Sequence, residues 1–154
     1  MITDVLLTVS GANTPNSAIS GQAITADAVS TNVIDLGTAR DIGEGEDLYM
    51  VFTVVTAFDN LTSLNMAVVT DTTDAMSSPT TIASTGAVLL ANLTAGKQYV
   101  VRIPPQIASL GERYMAAYYD VTASTPPTQG SILAQIVKDI QDGRKFYASG
   151  FSVT

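Results

Sequence analysis

The chain lacks three residue types on which much protein chemistry depends. Its 154 residues include no cysteine, no histidine and no tryptophan. Without cysteine, the protein can form neither a disulfide nor a thiol nucleophile nor a cysteine-ligated zinc site. Without histidine, a Ser–His–Asp triad and a histidine-ligated metal are both excluded. Ser–Lys or carboxylate chemistry is still conceivable, but nothing in the sequence points to it. We predict that the protein is not an enzyme, with no catalytic residue, no cofactor and no metal site.

Charge is also scarce. Charged residues make up 14% of the chain, and the formal net charge is −7. An acidic surface repels phosphate backbones, so we expect no nucleic-acid partner. No apolar run approaches the ~18 residues that a membrane-spanning helix needs, so we expect no membrane partner either. Hydrophobic residues still make up 46% of the chain, which is enough for one domain with a real core.

The pattern of apolar residues indicates strands. Apolar and polar residues alternate in several short segments that end at turn residues, and the chain is rich in Thr and Val. The segments are 33–36, 48–58, 63–70, 79–85, 86–93, 97–103 and 112–123. In two of them the inward faces are predicted to be Leu48, Met50, Phe52 and Val54, and Leu64, Met66 and Val68. About eight strands at this spacing predict an all-β antiparallel sandwich.

The segment 131–140 fits two structures. Ile132, Leu133, Ile136, Val137 and Ile140 follow a helical stripe, and Ser131 could cap such a helix. A strand here would instead complete the pairing of the sandwich. We favour the strand and leave the helix open.

The two ends of the chain suggest contacts with other molecules. Residues 1–30 are poor in large apolar side chains and predict a strand, VLLTV (5–9), followed by an extended arm, ahead of a sandwich over 31–154 within one domain. Such an arm gains little from packing on its own domain and is expected to lie on a neighbour. The apolar tail is expected to dock on something. The interface candidates from these two segments are Val5, Leu6, Leu7, Phe146, Tyr147 and Phe151.

An acidic, glycine-rich stretch runs through VIDLGTARDIGEGEDLYM, residues 33–50. A phosphate loop would need a helix after its glycines, whereas a strand is predicted there, and the acids would repel an anion. A calcium loop would need an ordered spacing of acids that this stretch lacks. We interpret it as a turn whose glycines take positive φ, and we give the acidic stretch 71–74 the same interpretation as a solvated turn.

Three tyrosines share one predicted strand: Tyr114, Tyr118 and Tyr119. They could form a platform that stacks on sugar rings, which makes a carbohydrate-binding β-sandwich module of a phage tail or a secreted enzyme the alternative function. We favour the reading that they are core or interface tyrosines.

Three segments in order resemble a known family: VIDLGTARDIGEGEDLYMVFTV, IPPQIASLGERYMAAYYDV and TQGSILAQIVKDIQDGRKFYASGF. They resemble the capsid cement, or decoration, proteins of tailed bacteriophages, in the jelly-roll family typified by the Bordetella phage cement protein. The matching positions are Asp35, Leu36, Gly37, Arg40, Asp41, Gly43, Gly45, Arg113, Tyr114, Gly130, Asp139, Tyr147, Ala148 and Gly150.

The resemblance implies a jelly roll of about eight strands on the outer surface of an HK97-type capsid, without enzymatic activity. Its partners would be the major capsid protein, whose neighbouring subunits it bridges, and further copies of itself. A dimer is favoured over a trimer. Four matched residues, Arg40, Asp41, Arg113 and Tyr114, complete the interface candidates. We also expect Arg40 and Asp41 to pin the loop or a partner.

Overall fold

The computed structural model describes residues 4–13, 18–43 and 45–138. Over these residues the regular structure consists of ten strands and three short 3-10 turns. The strands are β1 (Thr8–Ser10), β2 (Gln22–Ala23), β3 (Ala28–Val29), β4 (Ile34–Asp35), β5 (Leu48–Thr56), β6 (Ser63–Asp71), β7 (Thr80–Leu89), β8 (Gln98–Ile103), β9 (Tyr114–Thr122) and β10 (Ser131–Val137). The 3-10 turns are η1 (Val5–Leu7), η2 (Leu90–Asn92) and η3 (Ala108–Leu110).

The strands form two antiparallel sheets that pack face to face. The first sheet has the order β1-β10-β5-β8, with β2 also paired to β10. The second has the order β3-β9-β6-β7, with β4 also paired to β9. β1 and β2 lie along one edge of β10, and β3 and β4 lie along one edge of β9. If each of these two pairs counts as one interrupted strand, eight strands follow the order of a jelly roll, as predicted.

The core lies between the sheets and is built by alternation along the strands. Met50, Phe52 and Val54 of β5 are fully buried, as are their counterparts on β6, Leu64, Met66 and Val68. These are the predicted inward faces, except that Leu48, at the start of β5, is only half-buried against the core. Burying one such side chain contributes roughly 1.5–3 kcal/mol to folding, so these two central strands anchor the sandwich.

The ambiguous segment 131–140 is a strand over Ser131–Val137, and all seven residues are buried. β10 pairs with β5 on one side and with β1 and β2 on the other. A strand buried on both faces reads as a nearly continuous apolar run, which explains why its sequence also fitted a helical stripe.

The N-terminal segment is part of the sandwich rather than an arm apart from it. Val9 and Ile24 are fully buried, and β1, β2 and β3 all pair with the body of the protein. Small residues make this possible: a Cβ at Gly21 would lie 2.7 Å from the Ser131 hydroxyl oxygen. Our expectation that residues 1–30 gain little from packing on their own domain does not hold for these strands.

Two local predictions also need correction. The segment VLLTV was expected to be one strand, but Val5–Leu7 forms a 3-10 turn and only Thr8–Ser10 is extended. Asp4 causes the difference, because its side chain accepts the Leu6 N–H at 2.9 Å and its carbonyl accepts the Leu7 N–H at 3.0 Å. The predicted strands 79–85 and 86–93 are instead the single strand β7, which is followed by η2.

Candidate interaction surface

One end of the sandwich collects the ends of the described chain and three connecting loops. Val137 at the end of β10 pairs with Tyr49, and Leu48 pairs with Ile103. The loops at this end are 36–47, 72–79 and 104–113, and η1 enters β1 here. We call it the terminal end. The opposite end carries the connections 24–27, 57–62, 90–97 and 123–130, while 11–21 leaves the edge of β10 between β1 and β2.

The predicted interface residues converge on the terminal end. Val5, Leu6 and Leu7 lie in η1, next to the end of β10. Arg40 and Asp41 lie in loop 36–47, and Arg113 and Tyr114 stand where loop 104–113 enters β9. The other three candidates, Phe146, Tyr147 and Phe151, lie outside the described residues. Residues far apart in sequence are thus brought to one region.

The turn η1 presents apolar side chains to solvent. Leu6 is 81% exposed, Val5 is 48% exposed and Leu7 is 37% exposed. The two Asp4 hydrogen bonds fix the backbone of the turn. An exposed group of apolar side chains on a fixed backbone is typical of a protein–protein contact.

The two loops that carry the motif residues run side by side in opposite directions. The Leu36 N–H donates to the Arg113 carbonyl at 3.0 Å, and the Ile42 N–H donates to the Pro105 carbonyl at 3.1 Å. Between these bonds, the Asp41 carboxylate accepts the Ala108 N–H at 2.8 Å. The loop thus continues the pairing of β5 with β8 beyond the strands.

An ion pair closes the far end of this loop pair. The Arg113 guanidinium donates two hydrogen bonds to the Asp35 carboxylate, both at 2.6 Å, and the Gly37 N–H adds a third at 2.7 Å. These hydrogen bonds, from Arg113 first, lower the pKa of Asp35 to about 2. The same guanidinium lies 5.2 Å from the centre of the Tyr114 ring, within the range of a cation–π contact.

Two more ion pairs lie at the same end. Arg102 donates to Asp47 at 2.5 Å, which lowers the pKa of the Asp47 carboxyl. Lys138, just after β10, pairs with Glu46 in loop 36–47. All three ion pairs found among residues 4–13, 18–43 and 45–138 therefore hold loop 36–47 or the strands beside it.

Arg40 and Asp41 differ in what they do. Asp41 holds the loop by accepting the Ala108 N–H, so the predicted role in fixing the loop is seen for Asp41. Arg40 is exposed and takes part in none of the ion pairs found within the described part of the chain. Its guanidinium is therefore open to a partner.

The acidic glycine loop is a turn, as predicted. Gly43 and Gly45 have φ of 68° and 85°, and a strand follows them rather than a helix. The second acidic stretch needs correction, because Asp71 is only 4% exposed. Its carboxylate accepts the N–H groups of Thr73 and Ser78, at 3.2 and 3.0 Å, and these bonds fold loop 72–79 and lower the Asp71 pKa.

Sequence reasoning missed Glu112. Its carboxylate accepts hydrogen bonds from the hydroxyls of Thr70 and Thr80, the latter at 2.7 Å, and so fixes loop 104–113 against the second sheet. No local pattern points to this role, because both partners lie more than thirty residues away in sequence.

The three tyrosines do not form one platform: Tyr114 and Tyr118 share one face of β9, half-buried on a small apolar cluster, and Tyr119 lies on the other face. Tyr119 is fully buried, contacts Phe52 edge-to-face at 6.1 Å, and donates a hydrogen bond to the Ser10 hydroxyl at 2.6 Å. Burial raises the pKa of Tyr119 above its ordinary value. Tyr118 points to the other face of the sheet and is half-buried over Ala67, Val69 and Ala116. Neighbouring residues of a strand face opposite sides, so these two rings cannot stack on one ligand.

The described residues contain neither a metal-binding group nor a membrane-spanning helix. Within residues 4–13, 18–43 and 45–138, no group of three acidic side chains is placed to hold a metal ion. In that same part of the chain, no helix has the length and apolarity that crossing a membrane would require.

The fold and this surface define a jelly-roll β-sandwich with an end suited to contact with another protein. Residues 18–136 match the family model named Bbp16, which spans more than three quarters of the chain. The protein belongs to the Bbp16 family, a family of Bordetella phage proteins, and is a bacteriophage structural protein. No curated protein matches the chain.

Proposed function

We propose that the protein is a capsid cement protein. It binds the outer surface of an HK97-type phage capsid and stabilises the shell by bridging neighbouring major capsid protein subunits. It has no enzymatic activity, and it acts in the virion after synthesis in the host cytoplasm. Copies of the chain associate with one another, as a dimer rather than a trimer. Membership of the Bbp16 family supports the phage context of this proposal.

The observation that carries the proposal is the exposed apolar turn η1 at the terminal end. Leu6, with 81% of its side chain exposed, gains the most from entering a pocket on the coat protein. Burying such a side chain contributes roughly 1.5–3 kcal/mol. A single contact of this size is weak, but a shell engages many copies at once, and symmetry multiplies the effect.

The terminal end also carries an exposed positive charge. Its three ion pairs neutralise Asp35, Glu46 and Asp47 and leave Arg40 exposed. The net charge of −7 of the whole chain keeps free copies apart and soluble. The exposed apolar turn and the exposed Arg40 together make the terminal end the part of the described surface best suited to close contact with a coat subunit.

The sugar-binding alternative has less support. It depended on a shared, exposed face for the strand tyrosines, but Tyr119 lies in the core with no exposed surface, and Tyr114 and Tyr118 are half-buried on an apolar cluster. We therefore carry forward the cement function alone.

Co-sedimentation with undecorated capsids tests the proposal. The parent protein should pellet with the shells, and Leu6→Asp should lose at least about tenfold in affinity, because a carboxylate cannot enter an apolar pocket without a partner. Ala91→Asp is the matched control, since Ala91 is the exposed middle residue of the turn η2 at the opposite end. It should bind like the parent.

Two results would overturn the proposal. If the parent protein does not pellet with shells that lack decoration, the cement function is wrong. If Leu6→Asp and Ala91→Asp bind equally well, the terminal end is not the surface that meets the coat protein.

A further inference from the structure

The strands of the described residues leave four sheet edges. The first sheet ends at β1 with β2 and at β8, and the second ends at β3 with β4 and at β7. An edge strand presents backbone N–H and carbonyl groups that another chain can pair with. Proteins usually protect such edges with charged side chains, proline, short strands, bulges or a covering loop. The four edges differ in how well they are protected.

The edges formed by the N-terminal strands are covered or short. Asn32 lies against β1, where its N–H donates to the Val9 carbonyl at 2.9 Å and its side-chain amide donates to the Thr8 carbonyl at 3.1 Å. β3 and β4 are two residues each, and the chain leaves the sheet between them. Neither edge offers a continuous row of free backbone groups.

The β8 edge is protected by charge. Lys97 precedes this six-residue strand, the exposed Arg102 lies within it, and Pro104 follows it directly. Lysine, arginine and proline are the residues that proteins most often place on edges to prevent pairing.

The β7 edge carries none of these residues. β7 is ten residues long, the longest strand among the described residues, and its sequence TTIASTGAVL has no charge and no proline. Five of its residues are exposed: Thr81, Ser84, Gly86, Ala87 and Leu89. Two register shifts against β6 limit how much of the strand is regular, and the hydroxyls of Ser84 and Thr85 bond the N–H and carbonyl of Gly86. The rest of the strand has no such protection.

We propose that β7 pairs antiparallel with β7 of a second copy of this chain. This inference deepens the self-association included in the proposed function, on which it rests, by naming the surface where two copies meet. A two-fold axis through β7 sets the strand against itself, so any charge on it would face an identical charge. β7 has none, although each copy carries a net charge of −7. The contact therefore joins two acidic molecules through a strand that carries no charge.

Light scattering coupled to size-exclusion chromatography tests the pairing on the free protein, without capsids. The parent should form a dimer at micromolar concentration. Thr81→Lys and Ser84→Lys should each raise the dimer dissociation constant about tenfold or more, because each sets like charges close together across the axis. Thr94→Lys is the matched control: Thr94 is exposed in the uncharged stretch 75–96 but lies off the strand. It should dimerise like the parent.

The absence of cysteine allows a second measurement. Single cysteines at positions 81, 84 and 87 can form disulfides only between copies, and the yield should peak at the position nearest the two-fold axis. A cysteine at position 94 should stay reduced. These variants also report on the interface if a lysine variant fails to fold.

Several results would overturn the inference. One is a parent protein that stays monomeric across the concentration range, including the case in which β7 pairs with a coat segment instead. Another is a dimer that survives both lysine substitutions in folded protein, or equal cross-linking at positions 84 and 94. None of these results bears on capsid binding by Leu6, so the two proposals fail separately.

Discussion

The two ends of the sandwich are closed by different means. At the opposite end, the Asp59 carboxylate accepts hydrogen bonds from the N–H and hydroxyl of Thr128 and from the Gln129 N–H. Directly after them, Gly130 packs so closely on Phe58 that a Cβ there would lie 2.2 Å from the ring. At the terminal end, by contrast, the loops are held by ion pairs between side chains that are about half exposed.

The difference indicates that one end mainly stabilises the fold and the other mainly serves binding. The buried contact of Gly130 with Phe58 and the hydrogen bonds from loop 123–130 to Asp59 fix the opposite end, so that end contributes to the stability of the fold. Exposed ion pairs contribute little to stability, but they set the position of loops. The terminal end thus presents an ordered surface on which the apolar turn η1 is exposed to solvent. Substitutions at the opposite end should therefore change stability, and those at the terminal end should change binding.

The largest effect is expected from Gly130→Ala. The added methyl must displace the Phe58 ring, and φ of 136° is a backbone conformation that alanine rarely adopts. Overpacking and backbone strain together should cost about 3 kcal/mol. Urea denaturation of the purified variant measures this loss.

Gly96→Ala is its control, because Gly96 has φ of 83° but no atom within 4 Å of an added Cβ. It should cost only about 1 kcal/mol, from strain alone. Equal costs for the two variants would show that Phe58 does not clamp this end.

A smaller difference is expected between two aspartates. Asp59→Ala removes three hydrogen bonds, two of them to the backbone of the loop 123–130. Asp47→Ala removes one exposed ion pair with Arg102. Thermal unfolding should show the melting temperature falling by several degrees for the first variant and hardly at all for the second. The reverse order would refute the contrast between the ends.

The Asp35–Arg113 pair should make stability depend on pH within a defined window. The pKa of Asp35 is lowered from 3.8 to about 2 by folding, so the unfolded chain binds more protons between these values. The stabilisation is complete above about pH 4 and is lost as the pH falls towards 2. The melting temperature of Asp35→Asn should therefore vary less with pH across this window than that of the parent.

Arg113→Gln is the reciprocal variant, and it should flatten the same curve because it removes the main cause of the shift. Profiles for both variants that run parallel to that of the parent would show that the pair does not form in solution.

The smallest effect on stability is expected for Leu6→Asp. Its side chain is 81% exposed, and surface substitutions usually change the free energy of unfolding by less than about 0.5 kcal/mol. The same variant is expected to lose capsid binding. A large fall in melting temperature would mean that η1 supports the fold and does not serve as a contact.

Alternation was enough to predict the central strands of both sheets. In β5 and β6 every second residue is a large apolar one, and these residues form the core as expected. Two short edge strands were missed, since β2 and β3 are two residues long and hold their places through small side chains, whereas β4 lies within the predicted segment 33–36. η1 was mistaken for a strand because the Asp4 hydrogen bonds, not the apolar pattern of Val5–Leu7, decide its backbone.

Several residues of the candidate surface could be predicted from the sequence, but the way they pair in space could not. The family resemblance singled out Asp35, Asp41 and Arg113, yet nothing local shows that Asp35 pairs with Arg113 across 78 residues of sequence. Glu112 escaped notice for the same reason, since its partners Thr70 and Thr80 come from other strands. Long-range pairs of this kind depend on the strand order, which the periodicity of single segments does not encode.

The place of β10 bears on how the protein is made. The strand Ser131–Val137 comes last among the described strands, yet it lies at the centre of the first sheet, between β1 and β5. During synthesis, the preceding 130 residues leave the ribosome with an unfilled gap in that sheet. The sandwich can close only when residue 137 has emerged, so folding is late, dominated by distant contacts and slow. Until then, the apolar faces of β5 and its neighbours are exposed to other nascent chains in the cell.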